Sequence, residues 1–309
     1  MDPTLHSMLY LLGAILLAPL FAGVIFKVKA FFGGRKGSPV LINYYTLAKL
    51  LRKGSVYSTS TTYMFKLGPI VSLATALMAM LFLPVAGAKP VLSFSGDVIL
   101  VLYLMGLGRF FTITAAMDTA SPFEGMGAAR EAYFPIICEA TLFTILVLFF
   151  LITGEVRLAA FFESAAPLTL WQTAGASLIF VIPALFVVLL TESSRVPVDD
   201  PATHLELTMI HEVMILDHSG PDLALIELGS FLKLFFYSAL LTRLLCPVSL
   251  GHPAADAGAF CGVMLLIYVA VGVVESVMAR YRMDRVPNFV LTSFALALFA
   301  TVISLEFVK

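Results

Sequence analysis

Residues 191–229 read T-E-S-S-R-V-P-V-D-D-P-A-T-H-L-E-L-T-M-I-H-E-V-M-I-L-D-H-S-G-P-D-L-A-L-I-E-L-G. The stretch is strongly acidic, yet the runs beside it, 171–192 and 225–245, are each long and apolar enough to cross a bilayer. Between Glu192 and Asp222 stand seven acids (Glu192, Asp199, Asp200, Glu206, Glu212, Asp217, Asp222) against one base, Arg195. A loop tied to the membrane at both ends keeps its charges near the surface and near neighbouring loops. Carboxylates and imidazoles in partly desolvated places titrate within reach of neutral pH, which makes these groups candidate proton carriers. The alternative reading is a solvated acidic linker.

The rest of the composition agrees with a membrane protein. Of 309 residues 60% are hydrophobic and 13% charged, and the mean hydropathy is +0.98. Soluble domains carry about 25% charged residues. Runs of about 20 apolar residues mark spanning helices, and eight occur: 8–26, 68–88, 98–117, 131–152, 171–192, 225–245, 256–276 and 287–308. The expected fold is an all-α integral membrane protein, a single membrane domain over 1–309. A basic inner loop (27–67) and an acidic inner loop (192–224) interrupt it. The alternating short strands of a membrane barrel are absent from the pattern. The first run is too long for a signal peptide and lacks a basic start and a small-residue cleavage site.

Chemistry-bearing motifs are few. Cys138, Cys246 and Cys261 are isolated, and no C-x-x-C occurs, so the sequence offers no iron–sulfur ligand set of its own. There is no Gly-rich phosphate loop. His211-Glu212 opens like a zincin helix, but the position where the second histidine belongs is Ile215, so no metal site is expected.

Charge distribution orients the chain. Lys27, Lys29, Arg35, Lys36, Lys49, Arg52, Lys53 and Lys66 follow the first run, and no acid occurs between Asp2 and Asp97. Residues 40–53 read as an amphipathic helix along the surface, after a turn at 37–39. With the N-terminus outside, inward loops hold 13 Lys/Arg (those eight, Arg130, Arg195, Arg280, Arg282 and Arg285), whereas outward segments hold four, Lys89, Arg157, Arg243 and Lys309. That positive-inside bias puts both termini on the outer side of an inner (cytoplasmic) membrane and the acidic loop inside. Opposite charges on one face suggest that the two loops pack together or share a docking surface for a soluble partner. The alternative is a basic loop that sets topology and meets anionic lipid.

Ionisable residues within spans are functional candidates. Arg109 lies in the third run, Glu139 nine residues into the fourth and Lys233 about as far into the sixth. At 1.5 Å per residue the last two sit roughly 12–13 Å below the inner surface. Glu131, Glu192, Glu227 and Glu275 collect at inner helix ends, and the outer half of the bilayer is expected to hold no acid. Glu139 and Lys233 must be paired, neutral or wetted. The pattern suggests a polar route from the inner face to mid-membrane; the alternative is a salt bridge that only locks packing. His204, His211 and His218 would form a stripe if their segment were helical, with rings about 10 Å apart, too far to share a metal ion. They could form a relay only with water or carboxylates between them, and the alternative is interfacial polar residues.

Several strings together resemble a known family. Residues 192–201, E-S-S-R-V-P-V-D-D-P, are similar to the E-T-N-R-A-P-F-D-L-P signature of the H subunit of NADH–quinone oxidoreductase (respiratory complex I) and to the related stretch of formate hydrogenlyase subunit 4. Residues 35–53, 109–131 (R-F-F-T-I-T-A-A-M-D-T-A-S-P-F-E-G-M-G-A-A-R-E) and 275–284 (E-S-V-M-A-R-Y-R-M-D) resemble further blocks of it. The D-T-x-S-P-F block and Lys233 favour the energy-converting nickel–iron hydrogenase branch. The resemblance implies a non-catalytic membrane subunit beneath hydrogenase-like large and small subunits and beside antiporter-like membrane subunits. Iron–sulfur clusters and nickel–iron would then lie in those partners, with lipid and a quinone as further ligands and no nucleic acid.

Carried over by motif, the proton-pathway candidates are Glu131, Glu139, Glu192, Asp199, Glu206 and Glu227, with Asp217 in the place of a family glutamate; position in or beside the spans adds Lys233 and Glu275. Positioning or docking charges are Arg109, Arg130, Arg195, Arg280 and Arg282. The sequence departs from the family at A-T-H-L-E (202–206), where an acid-rich run is usual, and at Thr46, where an aspartate is usual. The leading expectation is an anchor and proton-coupling subunit of a hydrogenase-related oxidoreductase. A quinone-binding subunit of complex I, a stand-alone ion transporter and an inert anchor are the alternatives.

Overall fold

The computed structural model describes residues 3–163, 166–200, 209–246 and 252–307, and among these its regular elements are all helices. In chain order the helices are α1 (Pro3–Phe32), α2 (Ile42–Leu51), α3 (Tyr63–Met80), α4 (Asp97–Asp118), α5 (Pro122–Thr153) and α6 (Ala160–Glu163). They continue with α7 (Ala166–Glu192), α8 (His211–Met214), α9 (Gly220–Leu245), α10 (Pro253–Val277) and α11 (Val286–Phe307). Eight of them, α1, α3, α4, α5, α7, α9, α10 and α11, are long and apolar enough to span a membrane. Helices satisfy every backbone polar group internally, which is what hydrocarbon demands.

Several helix ends differ from the sequence reading: α1 runs past 8–26 at both ends, and α5 begins at Pro122 rather than 131. The second span covers Tyr63–Met80 rather than 68–88. Its start is set by capping: Asp118, the last residue of α4, accepts hydrogen bonds from Thr62 N (2.5 Å), Thr62 Oγ1 (2.9 Å) and Phe65 N (3.3 Å). Its end at Met80 runs into turns rather than further helix.

The bundle is organised around α9, which packs against α1, α2, α3, α7 and α10. Helix α5 packs against α4, α7, α8 and α11, and α3 lies along α4. Small residues allow that last approach: a Cβ on Gly108 would stand 2.5 Å from Thr75 Oγ1. The expected amphipathic helix is α2, and it is pinned rather than loose. Asn43 is buried and donates from Nδ2 to the carbonyl of Pro19 at 2.8 Å, and the Tyr44 hydroxyl donates to the carbonyl of Leu16.

The acidic segment is not a solvated linker in its described part. Val196, Val198, Met209, Ile210, Val213 and Met214 are all buried. Residues around His211 form only the single turn of α8, so among the described residues His211 and His218 do not share a helix, and His204 lies outside the described residues. The basic and acidic segments do touch. Lys29 Nζ stands 3.8 Å from Asp200, and Val56 N donates to Ser219 Oγ at 3.1 Å.

Candidate functional site

The site grows from one arginine in an apolar helix. Arg109 of α4 is a rigid fork of donors, and its side chain is buried among carboxylates from two other helices. Its Nη1 lies 2.6 Å from Oε1 of Glu139 on α5, and its Nη2 lies 2.7 Å from both carboxylate oxygens of Glu192 at the end of α7. Glu131, two turns before Glu139 on α5, approaches Arg109 Nε more loosely, at 3.9 Å. Lys233 of α9 reaches the same Glu192 at 3.0 Å.

Glu139 and Lys233 are thus joined through Arg109 and Glu192 rather than to each other. Three carboxylates face two cations, so the fully ionised cluster carries one uncompensated negative charge. In a low-dielectric setting such an excess is costly, and Glu131 is the member the cations hold least. The Glu192 side chain is fully buried, whereas that of Glu139, midway along α5, is 40% exposed on the flank of the bundle.

A second ion ladder lies where α1, α10 and the acidic segment meet, on the face that carries α2 and α8. Glu275 of α10 takes Lys29 at 3.0 Å and Arg195 at 3.4 Å, and Arg280 holds Asp199 at 2.9 Å. The other oxygen of Asp199 accepts from Ile210 N (3.1 Å) and His211 N (2.9 Å), which fixes the start of α8. Arg130 donates to the carbonyl of Met209 at 2.8 Å. Glu124, in the first turn of α5, is buried and accepts from Asp217 N at 3.1 Å. Gly127 lets α8 sit against α5, since a Cβ there would meet Val213 at 2.3 Å.

Two cavities lie against the clusters, and the larger one is lined by residues of both. One of about 310 Å³ lies between α1, α2, α9 and the acidic segment, with Glu227, Glu212, Arg195 and Asp199 in its wall. One of about 50 Å³ lies between α3, α4, α5 and α9, against Arg109 and Thr75. Glu131, His211, Ser230 and Lys233 line both. Burial holds the His211 imidazole below its ordinary range and pushes the Glu212 carboxyl above its own. His218 is held further down, to about 4, by burial beneath the ring of Phe65, on which it stacks at 3.9 Å.

Of the residues expected at the site, Arg109, Glu131, Glu139, Glu192 and Lys233 converge. Arg195, Asp199, Arg280 and Glu275 form the ladder, and Glu227 lines the larger cavity. Arg130 acts on a backbone carbonyl. Asp217 engages through its backbone while its side chain is exposed, and Arg282 pairs with Asp284 (3.3 Å) on the exposed surface, apart from both clusters. Glu206 lies outside the described residues.

The sequence reading passed over Glu124 and Asp97, and it weighed His211 only as one of three evenly spaced histidines. Glu124 had a signal, an S-P-F-E start that reads as a helix N-terminus with an acid in its first turn. Asp97 is buried at the end of α4 remote from the α2–α8 face and accepts from Leu158 N at 2.7 Å. It qualifies the expectation of an acid-free outer half.

Residues 5–305, nearly the whole chain, match the NADH dehydrogenase family. The chain belongs to the NADH dehydrogenase family. Among its relatives in Escherichia coli (strain K12), hydrogenase-4 component C is 28% identical over 294 residues, covering 93% of this chain and 91% of the relative. Formate hydrogenlyase subunit 4 of the same organism is 26% identical over 304 residues, covering 96% and 97%. The H subunit of NADH-quinone oxidoreductase from Rickettsia typhi (strain ATCC VR-144 / Wilmington) is 26% identical over 249 residues, covering 77% and 71%. The NADH dehydrogenase-family fold is also that of a chain in the membrane-bound sulfane sulfur reductase, an archaeal respiratory membrane complex. The TM-score there is 0.82 at 18% identity, covering 98% of this chain and 100% of that one.

Proposed function

We propose that this chain is a membrane subunit of an energy-converting, hydrogenase-related redox complex, which docks a soluble module and couples its redox state to proton movement. The observation that carries this reading is the Arg109 cluster. Three carboxylates and two cations sit within the bundle, next to cavities that run toward the α2–α8 face, and the cluster ends at the half-exposed Glu139. The relatives named hydrogenase-4 component C and formate hydrogenlyase subunit 4 support the choice of complex.

The physical sequence is short. A redox event in the soluble partner, which carries the iron–sulfur clusters and the nickel–iron centre, changes the charge near the α2–α8 face. The Asp199–Arg280 and Glu275–Arg195 pairs feel that change first, because they stand at that face. Glu131, weakly held by Arg109, takes up or gives off the proton, and Glu139 hands it to an antiporter-like membrane subunit lying against α5. A carboxylate midway along a spanning helix is costly against lipid and cheap against a polar neighbour, which argues for such a subunit there. The bias of Lys and Arg toward the α2–α8 face supports a cytoplasmic position for it, with both termini across the inner membrane.

Glu139→Gln in the complex reconstituted into vesicles tests the reading. Proton translocation is expected to fall while assembly is kept; undiminished pumping takes Glu139 off the route.

One observation favours a second reading, a quinone-binding subunit of complex I type. The 310 Å³ cavity has an apolar side (Phe26, Ile42, Phe231) facing polar groups, a combination suited to a small ring-bearing ligand. Inhibitor-sensitive, quinone-dependent turnover would favour it, and hydrogen evolution would favour the first. Ion transport by the purified chain alone would favour a stand-alone transporter over both.

A further inference from the structure

The larger cavity meets the ion ladder, and the smaller one meets Arg109. Four side chains line both. Lys233 is tied to Glu192 at 3.0 Å, Glu131 faces Arg109, and Ser230 has no acid–base chemistry near neutral pH. His211 is different. Its Nε2 is buried and has no hydrogen-bond partner among the described residues. A buried polar nitrogen left so costs about 1–3 kcal/mol, a cost that a cavity water or a mobile proton removes.

The backbone that carries the ring is held in place. The His211 N–H is bound by Asp199, which Arg280 grips in turn, and α8 is seated on Gly127 of α5. An imidazole on an anchored backbone, with one buried nitrogen unpartnered among the described residues and a place on the wall shared by two cavities, has the geometry of a relay.

We propose that His211 is the proton carrier between the two cavities. It takes up a proton at one ring nitrogen from the α2–α8 side and releases the proton of the other nitrogen toward water shared with Glu131. This rests on the proton-coupling reading above. The groups facing the ring set its balance. Glu212 of α8 and Asp199 favour the charged form, Lys233 of α9 opposes it, and Glu131 of α5 and Arg109 of α4 lie across the smaller cavity. Burial keeps the resting ring neutral at pH 7, and so able to accept.

The test uses the intact complex in vesicles, with His211→Ala, His211→Gln and Glu139→Gln side by side. Proton translocation is expected to fall about tenfold or more in both His211 variants. Free imidazole, admitted to the space vacated beside the larger cavity, is expected to restore it in His211→Ala only. Undiminished pumping in His211→Gln overturns the proposal, as does an Ala variant that imidazole leaves unrestored. If Glu139→Gln pumps poorly while both His211 variants pump fully, the relay is wrong and the coupling reading survives. If all three pump fully, both fall.

Discussion

Nη2 of Arg109 stands 2.7 Å from each carboxylate oxygen of Glu192, and the glutamate side chain has no exposed surface. Two charges buried this way contribute little net stability as a pair, but either one alone is expensive. Arg109→Leu is therefore expected to destabilise the folded chain by about 3–5 kcal/mol, the range for stripping one partner from a buried pair. Arg109→Leu combined with Glu192→Leu is expected to recover part of that loss. Thermal unfolding of the purified complex, read as a double-mutant cycle, measures the difference.

The seat of α8 gives a steric prediction. A Cβ on Gly127 would come 2.3 Å from Val213 and 2.9 Å from the carbonyl of Ile210. Backbone cannot yield as a flexible side-chain tip does, so Gly127→Val is expected to cost about 1–3 kcal/mol or more through overpacking. Hydrogen exchange over 209–218 should speed up while the spanning helices stay protected. Unchanged exchange there would mean that α8 does not depend on this contact.

Asp199 supplies a third. Its Oδ2 accepts from two consecutive backbone N–H groups, those of Ile210 and His211. Asp199→Ala leaves both donors without that acceptor, at about 1–3 kcal/mol each where they are buried. The amides of 210 and 211 are expected to exchange markedly faster in Asp199→Ala and close to normally in Asp199→Asn, which keeps an acceptor oxygen.

His218 makes stability depend on pH. Its proton binds at about 4 in the folded chain against 6.5 ordinarily, because burial against Phe65 disfavours the charged ring. Between those values the unfolded chain binds more protons. The contribution is thus complete above about pH 6.5 and is lost as pH falls toward 4, amounting to on the order of 3 kcal/mol. Protease cleavage within 209–219, followed from pH 7 to 4.5, should accelerate with acid. His218→Gln is expected to flatten that dependence.

The spans were legible because lipid forces long apolar runs, and a charge inside such a run, as with Arg109, Glu139 and Lys233, stands out against them. Their pairing was not legible. Nothing in the periodicity of α5 says that Glu139 will meet Arg109 of α4 rather than Lys233 of α9. The start of α3 was missed for a related reason: its cap comes from Asp118, 56 residues away from Thr62, whereas hydropathy alone places the onset at the apolar run. The acidic segment left a solvated linker open as an alternative because of its charge density. Its interleaved apolar residues, V-P-V at 196–198 and M-I at 209–210, are what bury it, and they are too short to register beside seven carboxylates.

Glu139 has a further consequence for the life of the protein in a cell. A newly inserted copy presents a half-bare acid along the flank of its bundle, where hydrocarbon tails would otherwise lie. If the proposed membrane partner lies against α5, a copy that lacks it is expected to be the less stable form in the bilayer. Its abundance should rise and fall with that of the companion that shields it, so the same side chain serves as both a chemical group and a badge of assembly.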